Sequence, residues 1–202
     1  MEQRPWFSFY GNIPPLHIPE ISLYELFTES VKQYPDRAAV IFNDQWITYS
    51  QLKQQIDRLA GAWKAHGFQK GERIGLMLSN HPNYIICYYA ALSLGLIVVQ
   101  INPMYTVYEL SFVAADSQLN YIVGDELSRE TIRAVMKEHP FSRVYYSGCA
   151  SAEGTEHSIE TLCDRSLPNE EKVFISPRDD VAVIQYTGGT TGKIKGAMLT
   201  HY

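Results

Sequence analysis

Between Arg73 and Ser147 the sequence alternates short, unbroken apolar runs with segments of helical period, and few folds accept that pattern. Arg73 to Leu78, Leu96 to Ile101, Tyr121 to Gly124 and Val144 to Ser147 read as strands. A strand that is apolar at nearly every position must be covered on both faces, whereas a half-exposed strand alternates apolar with polar. Helices are predicted between them: Pro82 to Leu94, a second begun by Thr106 with Glu109, and Ser128 to Glu138. The resulting order, βαβαβαβ, predicts an α/β fold, a doubly wound, mostly parallel sheet with helices on both faces.

The flanking segments are read from the same signals. Residues 1–20 carry Pro5, Pro14, Pro15 and Pro19 among Trp6, Phe7, Phe9 and Tyr10, which reads as an extended arm laid over a surface. Ser22 and Glu25 make a capping box, and Leu23, Leu26, Phe27 and Val31 follow at helical spacing up to Tyr34-Pro35. Ala38 to Phe42 and Trp46 to Tyr49 flank Asn43-Asp44-Gln45 as a hairpin. Ser50 is expected to cap a helix through Leu52, Ile56, Leu59, Ala60 and Trp63, stopped by Gly67. Gly148 to Pro177 has little pattern beyond a short helix candidate around Ile159 to Cys163, so it is expected to be a connector or an excursion on the surface.

Composition narrows the function. Of 202 residues 46% are hydrophobic and 19% charged, which is a folding composition. A formal net charge of −5 opposes a nucleic-acid partner, since gripping a phosphate backbone needs a basic surface. Cys87, Cys149 and Cys163 contain no C-x-x-C pair, so they suggest reduced thiols of a cytoplasmic protein rather than a disulfide frame or a zinc site. Asn83 to Asn102 is free of charge over about the length of a bilayer span, but Gly95 breaks it into a helix and a strand.

The chemistry is concentrated near the end of the sequence. The strand Val181 to Tyr186 runs into Thr187-Gly188-Gly189-Thr190-Thr191-Gly192-Lys193-Ile194-Lys195-Gly196. Four glycines, three threonines and two lysines in ten residues make a poor core and a good anion cradle. Glycine lets backbone N–H groups approach a phosphate, threonine adds hydroxyl donors, and lysine adds charge. A P-loop is excluded, because Thr187 stands where the pattern needs glycine and Ile194 where it needs a hydroxyl. The glycine spacing also fails the dinucleotide fingerprint. His81 is read as helix-start polarity, Asp179-Asp180 as a solvated turn, and Tyr84, Tyr88 and Tyr89 as packing residues.

The run Tyr186-Thr187-Gly188-Gly189-Thr190-Thr191-Gly192, followed by Lys195-Gly196-Ala197-Met198-Leu199-Thr200-His201, resembles the phosphate-binding signature of the AMP-forming acyl-CoA synthetases. Asp36-Arg37-Ala38-Ala39, Ile47 to Leu52, Lys70 to Leu76 and Asn80 to Gly95 resemble that family's earlier segments. Gly188 and Asn102-Pro103-Met104-Tyr105-Thr106 lean toward long-chain fatty acid–CoA ligases, with aryl-acid ligases as an alternative. The resemblance implies joining a carboxylate to the α-phosphate of ATP, with Mg2+, and then passing the acyl group to CoA. It implies that the backbone of Gly188 to Gly192 holds the β- and γ-phosphates and that Thr190 and Thr191 bond their oxygens. Lys195 beside Gly196 would supply a point charge, Tyr186 would open the motif, and the Thr187 hydroxyl would approach the metal. Lys193 matches a variable position, and Ile194 stands where proline is common.

No catalytic residue is assigned. Residues 21–202 would be the N-terminal portion of the AMP-binding domain, ending just after the phosphate loop and lacking the C-terminal domain, so the chain alone is expected to be inactive. A non-catalytic nucleotide- or partner-binding module is the reading from another class. The expected partner is a fatty acid or other carboxylic acid, with peripheral membrane contact and a homodimer left open.

Overall fold

The computed structural model describes residues 18–148, 156–188 and 194–202; most of the N-terminal arm and Cys149 lie outside them. Helix α1, Leu23–Gln33, starts at a complete capping box, with Glu25 N–H donating to Ser22 Oγ and Ser22 N–H to Glu25 Oε2. Strands β1, Ala38–Phe42, and β2, Gln45–Thr48, form an antiparallel pair. Asn43 and Asp44 both have positive φ, 48° and 60°, so the turn has two residues rather than three, and Gln45 joins β2. Helix α2 runs Tyr49–Ala65. Its N-cap is Thr48, whose Oγ1 accepts from Gln51 N–H while Gln51 Oε1 accepts from Thr48 N–H. The expected cap, Ser50, falls inside the first turn, because the reciprocal Thr48–Gln51 pair satisfies two end N–H groups at once.

The alternating core follows as predicted: β3 Arg73–Met77, α3 Pro82–Ser93, β4 Ile97–Gln100, α4 Val107–Asp116, β5 Tyr121–Gly124, α5 Arg129–Val135 and β6 Arg143–Tyr146. Two elements differ from expectation. The fifth helix stops at Val135, short of Glu138. The connector contains a further strand, β7 Glu156–Ser158, parallel to β6, before α6 Ile159–Arg165. No apolar run announces β7. It is held by charge instead, since Arg133 donates from Nε and Nη2 to both carboxylate oxygens of Glu156, at 3.0 and 3.1 Å. Strands β8, Val181–Gly188, and β9, Ile194–Thr200, complete a seven-stranded sheet ordered β7-β6-β5-β3-β4-β8-β9. All neighbours are parallel except β8 and β9.

Side-chain alternation splits the interior into two layers. Ile74, Leu76, Val98, Val123, Tyr145 and Val183 face α1, α2, α3 and α6. Met77, Val99, Ile122, Val144 and Tyr186 face α4 and α5. Full burial of each such side chain contributes roughly 1.5–3 kcal/mol, which must offset the ordering of the chain. Trp63, fully buried, stacks on Phe68 with centroids 5.5 Å apart and meets Tyr145 edge-on at 5.7 Å. Consecutive helices α3 and α4 leave neighbouring strands β3 and β4 toward opposite faces. In sheets of this class such a reversal marks the place at the carboxyl edge where ligands bind. Among the described residues no helix is long and apolar enough to cross a membrane.

The segment returning from α6 to β8 lies across α2 at Gly61. A Cβ there would stand 2.0 Å from the Leu167 carbonyl oxygen and 3.2 Å from Asn169 N, whose N–H donates to the Asp57 carbonyl at 2.8 Å. Gly61→Ala is therefore expected to push this strap off α2 and destabilise the chain by about 1–3 kcal/mol. Urea denaturation should show a lower midpoint at unchanged slope; an unshifted midpoint would refute the contact.

Candidate functional site

The glycine-rich segment sits on a β-hairpin at the carboxyl edge of the sheet. Tyr186 pairs with Gly196, Thr187 with Lys195 and Gly188 with Ile194. Residues 189–193 lie outside the described residues, so the expected cradle of Gly189, Thr190, Thr191 and Gly192, with Lys193, is placed only by its two ends. A strand, β9, rather than a helix follows the glycine-rich segment.

Cross-strand partners share a face, and the two faces of this hairpin differ. Thr187 and Lys195 lie together and exposed. Below them on that face Gln185 lies beside Gln100 of β4, and Gln100 meets the Tyr84 hydroxyl at the start of α3. This polar strip was not foreseen. Its signal was a glutamine closing an otherwise apolar strand, Ile97 to Gln100. Tyr84 also stacks on Tyr88 at 6.4 Å, and Tyr89 on Phe27 at 4.7 Å, as packing residues do.

On the opposite face Tyr186 is 5% exposed, and its hydroxyl donates to Asp116 Oδ2 at 2.6 Å. Burial, then the Asp116 carboxylate, pushes its phenol well above the ordinary value. A Cβ on Gly196 would come within 2.8 Å of Ile184 Cγ2 and 3.1 Å of the Tyr186 ring. The side chain of Tyr186 thus points away from Thr187 and Lys195, and Gly196 makes room for its ring.

The base of the hairpin is tied to the first helix. His201, 6% exposed, accepts the Leu23 N–H at Nδ1, 3.3 Å away. Tyr202 N–H donates to the Pro177 carbonyl at 2.8 Å. The Asp179-Asp180 turn is structural: Asp180 pairs with Lys70 at 2.6 Å and accepts the Ser176 N–H, while Asp179 accepts the Ser176 hydroxyl. His81 caps α3, its Nδ1 accepting the Asn83 N–H at 3.2 Å.

Two carboxylates lie at the carboxyl edge, and both are engaged locally. Asp125 accepts the Ser79 N–H at 2.8 Å and the Ser128 N–H at 3.1 Å. Burial raises its pKa, but these bonds outweigh that and hold it below the usual carboxylate value. Glu160 accepts from Asn83 Nδ2 and Gly148 N–H, each at 2.7 Å, and from the Ser158 hydroxyl at 2.9 Å. Cys87 is fully buried, and burial raises both its thiol and that of Cys163, the latter to about 12. Neither is a nucleophile at neutral pH. Among the described residues no cluster of three His, Cys, Asp or Glu could hold a metal ion. Among the described residues the arrangement sets an exposed threonine and lysine side by side, while its two acids are occupied in shaping the edge.

This fold has known counterparts. Residues 27–202 match the family model described as AMP-binding enzyme, and the chain belongs to that family. It is 32% identical over 225 residues to a long-chain-fatty-acid–CoA ligase of Bacillus subtilis (strain 168), covering 98% of this chain and 40% of the relative. It is 31% identical over 227 residues to the ligase of the same description from Escherichia coli O6:H1, again 98% and 40%. The chain therefore spans about two fifths of the length of these relatives. Among solved structures, a long-chain-fatty-acid-CoA ligase from Archaeoglobus fulgidus superposes with a TM-score of 0.83 at 29% identity, over 94% of this chain and 38% of that one. A benzoate CoA ligase from Burkholderia xenovorans shares the fold, with a TM-score of 0.78 at 18% identity, over 90% of this chain and 35% of that one.

Three histidines make stability depend on pH. Burial lowers the pKa of His201, with Asp180 opposing, Lys70 adding and Glu25 opposing. Burial and then Arg143 lower those of His66 and His157, whose rings lie 4.9 Å apart. The unfolded chain takes up these protons first as pH falls through 6.5, so stability present above that value is lost below it. The thermal midpoint is expected to fall between about pH 7.5 and pH 5.5. His201→Gln, which retains an acceptor for Leu23 N–H, should flatten part of that slope. A midpoint that holds or rises on acidification would contradict the assignment.

Proposed function

We propose that this chain is the N-terminal part of an ATP-dependent, AMP-forming fatty acid–CoA ligase. Residues 21–202 belong to its AMP-binding domain, and residues 1–20 form an N-terminal arm. The observation that carries this reading is the hairpin, which sets an exposed threonine and lysine side by side where the glycine-rich turn begins, at the carboxyl edge. Identities of 31–32% to long-chain-fatty-acid–CoA ligases support a fatty acyl substrate. The aryl alternative rests on likeness of fold alone.

A carboxylate attacks the α-phosphate of ATP poorly unless the departing pyrophosphate is neutralised and the reactants are held in line. In this proposal the backbone of Gly188 to Gly192 takes the β- and γ-phosphates, and Thr190 and Thr191 donate to their oxygens. Lys195, exposed on the face of Thr187, supplies the charge. These donors, hydroxyls and an ammonium, fit a polyphosphate. Thr187 offers one neutral oxygen, which suits Mg2+ only as part of a set completed by phosphate oxygens and water. That ion would neutralise charge on the departing pyrophosphate. CoA and the acyl chain would be met by parts of the longer enzyme. Ile41 and Trp46, cross-strand neighbours 61% and 69% exposed, support peripheral contact with a lipid surface, the source of a fatty substrate.

Lys195→Ala in the full-length ligase is expected to lower kcat/KM for ATP by about 100- to 1,000-fold, the scale of one lost transition-state donor. Because Lys195 is exposed, the thermal midpoint should not move. Unchanged kinetics would remove the phosphate-loop assignment. The 202-residue chain alone should show no carboxylate-dependent pyrophosphate exchange. Robust exchange would overturn the view that this segment is only part of the site.

A further inference from the structure

The parallel ladder between β4 and β8 pairs Val98 with Val183, Val99 with Ile184 and Gln100 with Gln185, and ends there. Beyond it Tyr186, Thr187 and Gly188 pair only with β9, so the end that carries the glycine-rich turn is a two-stranded ribbon overhanging the sheet. Two strands by themselves are marginally stable in water. Something outside the ladder has to fix the direction of the overhang.

Tyr186 is its first residue and is buried on the α4 side. Its ring crosses β9 where Gly196 leaves space, and Ile194, the first residue of β9, packs into the same cluster. Its hydroxyl donates to Asp116 at 2.6 Å, the length of a charge-assisted bond, and the Ser117 hydroxyl also reaches the phenol. Asp116 is the last residue of α4. A carboxylate is disfavoured there, because the helix dipole places partial negative charge at that end. Among the described residues no Lys, Arg or His forms a salt bridge with it. A poorly placed acid whose described side-chain bond reaches across the fold to the phosphate hairpin has its use in that bond.

We propose that Asp116 is a positioning residue for the ligase reaction, acting through Tyr186 to aim the phosphate-binding hairpin. This rests on the phosphate-loop reading of the previous section. Two measurements separate the two ideas. In the 202-residue chain, amide hydrogen exchange at Thr187, Gly188, Lys195 and Gly196 is expected to quicken about tenfold in Tyr186→Phe and in Asp116→Ala, as for loss of one charge-assisted hydrogen bond. Amides of β3 and β5 should be unaffected. Asp116→Asn, which retains an acceptor, should fall between Asp116→Ala and the parent.

In the full-length ligase the same variants should raise KM for ATP, with KM for the fatty acid and for CoA unchanged. The double variant Tyr186→Phe/Asp116→Ala should be no worse than the more affected single variant, as for two halves of one bond. Unchanged hairpin exchange, or additive effects in the double variant, would overturn the proposal whatever Lys195→Ala does. Quickened exchange with unchanged KM for ATP, in an enzyme that Lys195→Ala does disable, would reject the positioning role and leave the phosphate loop standing. If Lys195→Ala is without effect, it is the phosphate loop that fails, and the exchange data then report a tether of purely structural use.

Discussion

The structure depends on one requirement: a parallel sheet buried on both sides must satisfy its backbone from neighbouring strands and its side chains from two separate layers of helices. Strand β3 sits at the centre of this arrangement, with β5 on one side and β4 on the other. Ile74 and Leu76 face one apolar layer and Met77 the other. Short crossovers that are all of one hand then force α3 and α4 onto opposite faces. The switch point between them follows from that connection.

Around the switch point the polar groups divide between support and function. Asp125 and Glu160 spend their oxygens on the backbone of the turns that frame the edge. The described groups of the hairpin left facing outward are a threonine and a lysine. The β4–β8 ladder ends at Gln185, so the sheet alone does not fix the direction of the hairpin beyond it. The tie to Asp116 at one end and the His201 contact with Leu23 at the other supply what the hydrogen-bond ladder leaves open.

Where the sequence was hard to read, local signals were in competition or absent. Thr48 and Ser50 are both good N-caps, and the choice fell to Thr48, whose reciprocal bond with Gln51 satisfies two end N–H groups. Strand β7 has no apolar signature; it pairs with β6, and its Glu156 meets an arginine of α5. The expectation of an anion cradle rested on residue types alone, and residues 189–193, which carry most of it, lie outside the described residues. That Tyr186 and Gly196 serve as ring and recess was not legible, because it depends on which face of β8 meets α4.

The sequence by itself determined the α/β class, the parallel sheet covered on both faces, the capping boxes at Ser22 and Thr106, and the family to which the glycine-threonine-lysine run points. Each of these is encoded in a periodicity or a spacing within a few residues, where neighbours along the chain are neighbours in space. Only the tertiary structure decided the strand order, the return of β8 beside β4, the strap over Gly61 and the bond from Tyr186 to Asp116. Those features join residues many tens of positions apart, and they are set by which faces must be buried together.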